Sequence, residues 1–101
     1  MIESNPQIKT LEATGNFDVI KGEFTPAEAK EIIGYLIRKK IQFHQGKNFS
    51  KEIRQGISDE HSIARIQQLR KMRNEIHELI ANAENDGKTL KVNAVINIET
   101  L

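Results

Sequence analysis

Residues 25–46, TPAEAKEIIGYLIRKKIQFHQG, decide the fold of this chain. Thr25 can accept a hydrogen bond from the start of a helix, Pro26 supplies a helical φ at the first position, and Glu28 can reach back to the capping residue. The sequence therefore predicts that a helix begins at Pro26. Glycine at position 46 is the predicted end of its periodic pattern.

Apolar side chains recur through this stretch at spacings of three and four residues, which is the period of one helix face. Such a stripe must be buried against another element of the fold. Its members are Ala29, Ile32, Ile33, Leu36, Ile37, Ile41 and His44.

A second helix is predicted from the capping sequence Ser58-Asp59-Glu60 to about Asn85. Its apolar stripe has the same spacing, and the two stripes can cover each other if the helices form an antiparallel hairpin. The stripe comprises Ile63, Ile66, Leu69, Met72, Ile76, Leu79, Ile80 and Ala83.

The segment between Gly46 and Ser58 is predicted to be a structured connector. Ser50 can cap one short helical turn that ends at Gly56. Three apolar residues in this segment, Phe49, Ile53 and Ile57, are expected to fold back over the ends of the long helices.

Strand patterns flank the two helices. Residues 89–100 alternate apolar and polar side chains, and residues 17–24 do so less regularly. Residues 8–13 are an optional third strand, joined through a predicted type II′ turn at residues 14–16, Thr-Gly-Asn. Residues 1–7 are expected to be a flexible tail.

These elements predict one α+β domain over residues 8–101, in which an antiparallel two-helix hairpin packs on a small two- or three-stranded antiparallel sheet in the order (β)βααβ. A sheet of two strands is marginally stable in water and leaves unpaired edges. Association with a second copy as a homodimer is therefore predicted.

The composition fits a small soluble domain. At 101 residues, with 38% hydrophobic and 29% charged residues, the chain is too apolar to remain disordered and large enough for a single core. It has no cysteine, which excludes disulfides and thiolate chemistry and favours a cytoplasmic location. Its apolar runs are short and no export signal precedes them, so neither membrane insertion nor export is expected.

Charge is distributed unevenly along the chain. Residues 38–73 contain ten Lys and Arg against three acidic residues, whereas acidic residues predominate on both sides of this segment. In a hairpin that ends near Gly46, this segment forms a basic tip able to bind a polyanion. The alternative is that these cations only solvate exposed helix faces. The predicted contacts are Arg38, Lys39, Lys40, Lys47, Lys51 and Arg54.

No arrangement of residues indicates catalysis. His44, His61 and His77 lack the three- or four-residue spacing of metal ligands on a helix, and no phosphate-binding loop or nucleophile motif occurs. His44 is expected to be partly buried and hydrogen-bonded. We expect no enzyme activity, cofactor, metal, membrane or small-molecule substrate.

The sequence thus favours a small interaction or structural domain whose partner is another protein or a second copy of itself. The alternative is a protein that binds nucleic acid or an acidic partner through the basic segment, although no nucleic-acid-binding motif is present.

Overall fold

The structure is a computed structural model that describes residues 14–101. The described elements follow the order β1 (Thr14–Phe24), α1 (Pro26–Gln55), α2 (Glu60–Asn85) and β2 (Leu90–Glu99). The predicted α+β class, with two packed helices and a two-stranded antiparallel sheet, is confirmed. Residues 1–13 lie outside the described part of the chain, and with them the predicted tail and the optional strand over residues 8–13.

The described residues belong to two compact units. Residues Phe24–Leu90 form the helical hairpin, and β1 up to Glu23 together with residues Lys91–Leu101 forms a two-stranded ribbon. Neither of the described helices is long and apolar enough to cross a membrane.

Helix α1 begins as the sequence predicts. The Thr25 side chain accepts a hydrogen bond from the Glu28 amide at 3.2 Å, and the Glu28 carboxylate accepts one from the Thr25 amide at 2.9 Å. This reciprocal pair satisfies two of the amides that a helix start leaves without partners.

The predicted end of α1 near Gly46 is wrong, because the helix continues to Gln55. Gly46 lies on an open side of the helix, where a Cβ atom would meet nothing within 4 Å. Ser50 is inside the helix and caps no short turn. Residues 47–55 contain five good helix formers and no proline, so the helix can continue past a glycine that costs about 1 kcal/mol. Gly56, with φ +70°, ends the helix.

The longer helix removes most of the predicted connector. Only residues 56–59 join the two helices. Phe49, Ile53 and Ile57 do not fold back over the helix ends as expected, since their exposed fractions are 63%, 70% and 54%.

The two helices pack through the predicted stripes. Ile37 and Ile41 from α1 are buried with Ile66 and Leu69 from α2. Ile33 and Ile76 pack against this cluster and are partly buried. Ala29 near the start of α1 and Ile80 near the end of α2 are also buried, so buried apolar residues extend along both stripes beyond this cluster.

In the ribbon, the predicted alternation holds for the first half of β2. Leu90, Val92 and Ala94 are half-buried, whereas Lys91 and Asn93 are exposed. The expectation of one buried face is wrong for the second half, because the apolar side chains there are exposed on both faces.

The predicted turn at residues 14–16 is also wrong, because these residues belong to β1. Gly15 does not have the positive φ that the first central position of a type II′ turn requires. Instead, the ring of Phe17 covers Gly15, where a Cβ atom would lie only 2.7 Å from a ring carbon. Glycine at this position therefore provides space for an aromatic side chain two residues further along the strand.

Candidate functional site

The end of the hairpin contains a chain of polar side chains that connects the two helices. Asp59 caps α2, and its carboxylate accepts hydrogen bonds from the Ser62 amide at 3.2 Å and from the Ser62 hydroxyl at 3.1 Å. The Ser62 Oγ lies 3.4 Å from His44 Nδ1 on α1. The Asp59 amide donates to the Asn48 side-chain oxygen at 2.7 Å, which forms a second connection between the helices.

The proton positions in this chain follow from the number of hydrogens available. Ser62 has one hydroxyl hydrogen, and Asp59 accepts it. His44 Nδ1 must therefore carry the hydrogen directed at Ser62 Oγ, and in the neutral imidazole Nε2 is then the unprotonated nitrogen. Nε2 is buried and has no hydrogen-bond partner in the described part of the chain. A second proton on this ring would have no acceptor.

The surroundings of His44 also oppose its positive charge. Burial lowers the pKa of His44 below its ordinary value, and the positive charges of four neighbouring side chains lower it further. In order of effect, these neighbours are Lys40, Lys47, Arg65 and His61.

Asp59 is held in its charged form. The pKa of Asp59 is lowered first by the hydrogen bond from the Ser62 amide, and this outweighs the opposing effect of burial. The Ser62 hydroxyl, Lys51 and Lys47 lower it further.

Aspartate, serine and histidine are also the residues of a hydrolase triad, but their order here differs. In a triad the histidine lies between the acid and a serine that must reach the substrate. Here Ser62 lies between Asp59 and His44 and has no exposed surface. The arrangement can fix the end of the hairpin and has no accessible nucleophile. The predicted hydrogen bond of His44 is confirmed, and the side chain, which was predicted to be partly buried, is buried.

The role of Ser62 was not predicted from the sequence. Two signals were available: Ser62 lies three residues after the capping Asp59, and it lies four residues before Ile66 on the apolar stripe. A serine at such a position is placed to bond both the cap and the facing helix.

Four of the six predicted polyanion contacts lie along one side of α1. Lys40, Lys47, Lys51 and Arg54, which we call the basic flank, are separated by seven, four and three residues, and these spacings return to the same side of a helix. Glu52 is the only acidic residue between Lys40 and Arg54. It precedes Arg54 by two residues, which turns it to the opposite side of the helix.

An exposed aromatic ring lies within the basic flank. Phe43 is 55% exposed, and the Nζ atoms of Lys40 and Lys47 lie 5.2 and 5.5 Å from its ring centroid. An open groove of about 570 Å³ follows this side of α1 and is lined in part by Phe43, Lys47, Lys51 and Arg54, and also by the acidic side chain of Asp59.

The other two predicted contacts are separate from this flank. The Cζ atom of Arg38 and the Nζ atom of Lys39 both lie 5.5 Å from the ring centroid of Tyr35. Arg38 precedes Lys40 by two residues and therefore faces the opposite side of α1. Because α1 extends to Gln55, Arg38, Lys39 and Lys40 lie about 23 to 26 Å from its end. The predicted basic tip is thus a flank that runs from the middle of α1 to its end.

The ribbon offers a different kind of surface. Val95 and Ile96 are neighbours on β2 and point to opposite faces, and their exposed fractions are 52% and 49%. Ile98 is 51% exposed, as are Phe17 (55%) and Val19 (48%) on β1. Large apolar side chains are therefore in contact with water on both faces of the ribbon.

Within residues 14–101, no group of three His, Asp or Glu side chains is close enough to hold a metal ion. Comparison of the chain with protein families, with curated proteins and with solved structures gives no match.

Proposed function

We propose that this protein is a small interaction domain that associates with a second copy of itself through the ribbon. The observation that carries this proposal is the exposure of Val95 and Ile96, which place half-exposed aliphatic side chains on opposite faces of the same strand. Ile98 is 51% exposed on the same face as Ile96, and neighbouring exposed apolar side chains on one face are typical of an interaction site.

The size of the sheet supports the same proposal. A two-stranded sheet is marginally stable in water, and three or more strands with a covered apolar face are needed for independent stability. The described sheet has two strands. Association of two ribbons would provide the missing strands and remove apolar surface from water, at about 25 cal/mol for each Å² buried.

The test is the molar mass in solution, measured by light scattering after size exclusion over a range of protein concentrations. We expect the wild-type protein to be a dimer. The substitution Ile98→Glu should convert it to a monomer. Ile53→Glu is the matched control, because it introduces the same charge in place of an isoleucine that is 70% exposed on α1. A protein that stays monomeric at high micromolar concentration would refute the proposal.

A second candidate function, binding of a polyanion, has its own supporting observation. The basic flank places four cations on one side of a continuous helix, and the single carboxylate that lines the groove beside them belongs to Asp59. Several cations that contact one polyanion together release its counterions, and this gives strongly salt-dependent binding. Phe43 adds an exposed ring on which a nucleic-acid base can stack.

This second candidate is tested by charge reversal on the two sides of α1. Lys47→Glu with Lys51→Glu should abolish binding to single-stranded DNA and RNA at low salt. Arg38→Glu with Lys39→Glu changes the net charge equally outside the basic flank, and it should retain most of the binding. Equal losses for the two double variants would mean that net charge alone attracts the nucleic acid.

A further inference from the structure

We propose that β2 pairs with β2 of a second copy as antiparallel neighbours, about a two-fold axis that passes through Val95 perpendicular to the sheet. The product is a four-stranded sheet in the order β1-β2-β2-β1. This inference rests on the self-association proposed above and specifies the surface and the register through which it occurs.

The outer edge of β2 is suited to pairing. In the sheet formed by residues 14–101, β1 is the sole strand bonded to β2. An edge strand presents a row of backbone N–H and C=O groups that need partners. Proteins commonly block such edges with proline, or with a bulge that often contains glycine, and residues 90–99, LKVNAVINIE, contain neither residue type.

The sequence of β2 is complementary to itself in one antiparallel register. With Val95 opposite Val95, Lys91 lies opposite Glu99 and Asn93 lies opposite Asn97. Each of these pairs forms twice because of the two-fold axis. Opposite charges and matched amides therefore face each other across one side of the new strand pair.

The other side of the same strand pair is apolar throughout. In this register Val92 lies opposite Ile98, and Ala94 lies opposite Ile96. These pairs form a continuous apolar row from both copies, and they include Ile96 and Ile98, which are about half exposed in the single chain. Aliphatic cross-strand pairs of this kind stabilise a sheet.

The neighbouring symmetric registers lack this complementarity. An axis through Ala94 places Lys91 opposite Asn97, and an axis through Ile96 places Glu99 opposite Asn93. Both leave the two charged side chains of β2 without an oppositely charged partner. Charge complementarity therefore selects a second copy of this strand as the occupant of the edge and selects Val95 as the centre of the register.

The register predicts an exchange of partners that can be measured. Lys91→Glu places Glu opposite Glu99 at both ends of the strand pair, and Glu99→Lys places Lys opposite Lys91. Each single variant should weaken the dimer by about tenfold, because two attractive pairs become repulsive. An equimolar mixture of the two variants restores opposite charges at both ends and should form a heterodimer with the affinity of the wild-type dimer.

The experiment is sedimentation velocity of the full chain, with each variant alone and with the two mixed. The double variant Lys91→Glu with Glu99→Lys should dimerise like the wild type. Lys88→Glu is the control, because it makes the same change of charge outside β2. Recovery in the mixture also demonstrates that each single variant is folded.

The outcomes separate this inference from the proposed function. A monomeric wild type overturns both, including the case in which residues 1–13 of the same chain cover this edge. If the wild type is a dimer and neither single variant weakens it, the register is overturned. Self-association would then occur through another surface. A mixture that fails to recover the dimer, together with a double variant that fails to do so, also overturns the register.

Discussion

His44 on α1 and Ser62 on α2 meet across the helix pair, with 3.4 Å between the imidazole Nδ1 and the hydroxyl oxygen. Both side chains are buried, and the Ser62 hydroxyl is committed to the Asp59 carboxylate. The neutral imidazole makes this one hydrogen bond and leaves the buried Nε2 without a partner, whereas the imidazolium would also place a positive charge and a second N–H at that buried position.

Acidification should therefore destabilise the fold within a defined pH range. Because the pKa of His44 is lowered in the folded protein, the unfolded chain binds more protons between that folded pKa and the ordinary pKa of about 6.5. The contribution of His44 to stability is present above about pH 6.5 and is lost as the pH falls through its folded pKa. Urea unfolding at a series of pH values measures this loss.

A variant separates His44 from the other histidines. His44→Gln should flatten the pH dependence of the free energy of unfolding between about pH 7 and pH 5. His77→Gln, which replaces an exposed histidine on α2, is the control variant. An unchanged slope in His44→Gln would contradict the role of His44 in this pH dependence.

The lowered pKa of Asp59 gives a second loss of stability, which begins below about pH 4 as the pH falls toward its folded pKa.

Removal of the Ser62 hydroxyl should cost more than an ordinary surface change. Ser62→Ala leaves His44 Nδ1 and one Asp59 oxygen without this partner, and we expect a loss of about 1 to 3 kcal/mol in the free energy of unfolding. Ser50→Ala is the control, because Ser50 is exposed on α1 and alanine has the higher helix propensity. Equal effects of the two changes would show that the hydrogen bonds of Ser62 to Asp59 and His44 contribute nothing to stability.

Two glycines of the hairpin should respond in opposite directions to alanine. Gly46→Ala should stabilise the protein by about 0.5 to 1 kcal/mol, because the added methyl group meets open space inside a helix. Gly56→Ala should destabilise it by about 1 to 2 kcal/mol, because the residue has φ +70°. Chemical denaturation of both variants measures the two effects. A stabilising Gly56→Ala would contradict the left-handed end of α1.

The aromatic ring in the basic flank should contribute to nucleic-acid binding beyond charge. Phe43→Ala should reduce the affinity for single-stranded DNA by about 1 to 3 kcal/mol, the value of one stacked base. Binding to heparin, which has no bases, should change much less. Phe49→Ala removes a ring that is 63% exposed on α1, and it serves as the matched control. If Phe43→Ala weakens heparin binding equally, the ring contributes by positioning Lys40 and Lys47 and not by stacking on a base.

Local signals in the sequence predict most of the fold. The capping pair Thr25 and Glu28, the end of α2 near Asn85 and the alternation in the first half of β2 each depend on neighbouring residues, and these three predictions agree with the structure. The predicted end of α1 was wrong because a glycine inside a helix, such as Gly46, has the same local signature as a glycine that ends one. Whether such a glycine ends a helix depends on the residues that follow it, and here Lys47 to Gln55 continue the helix.

The candidate surfaces were predictable only in part. Helical spacing alone would have separated Arg38 from Lys40, but the predicted tip placed them together. The connection from Asp59 through Ser62 to His44 depends on the packing of two helices, which no local pattern in the sequence contains. The exposure of Ile96 and Ile98 likewise depends on what covers the ribbon, since their alternation with polar residues is typical of a buried face.

The unbroken course of α1 sets a length requirement on any bound polyanion. Lys40 and Arg54 belong to one rigid helix, so their backbone positions stay about 21 Å apart. A DNA duplex, which has one phosphate on each strand for each 3.4 Å of its axis, needs about six base pairs to reach from one to the other. Affinity should therefore rise steeply with oligonucleotide length up to that size and only slowly beyond it.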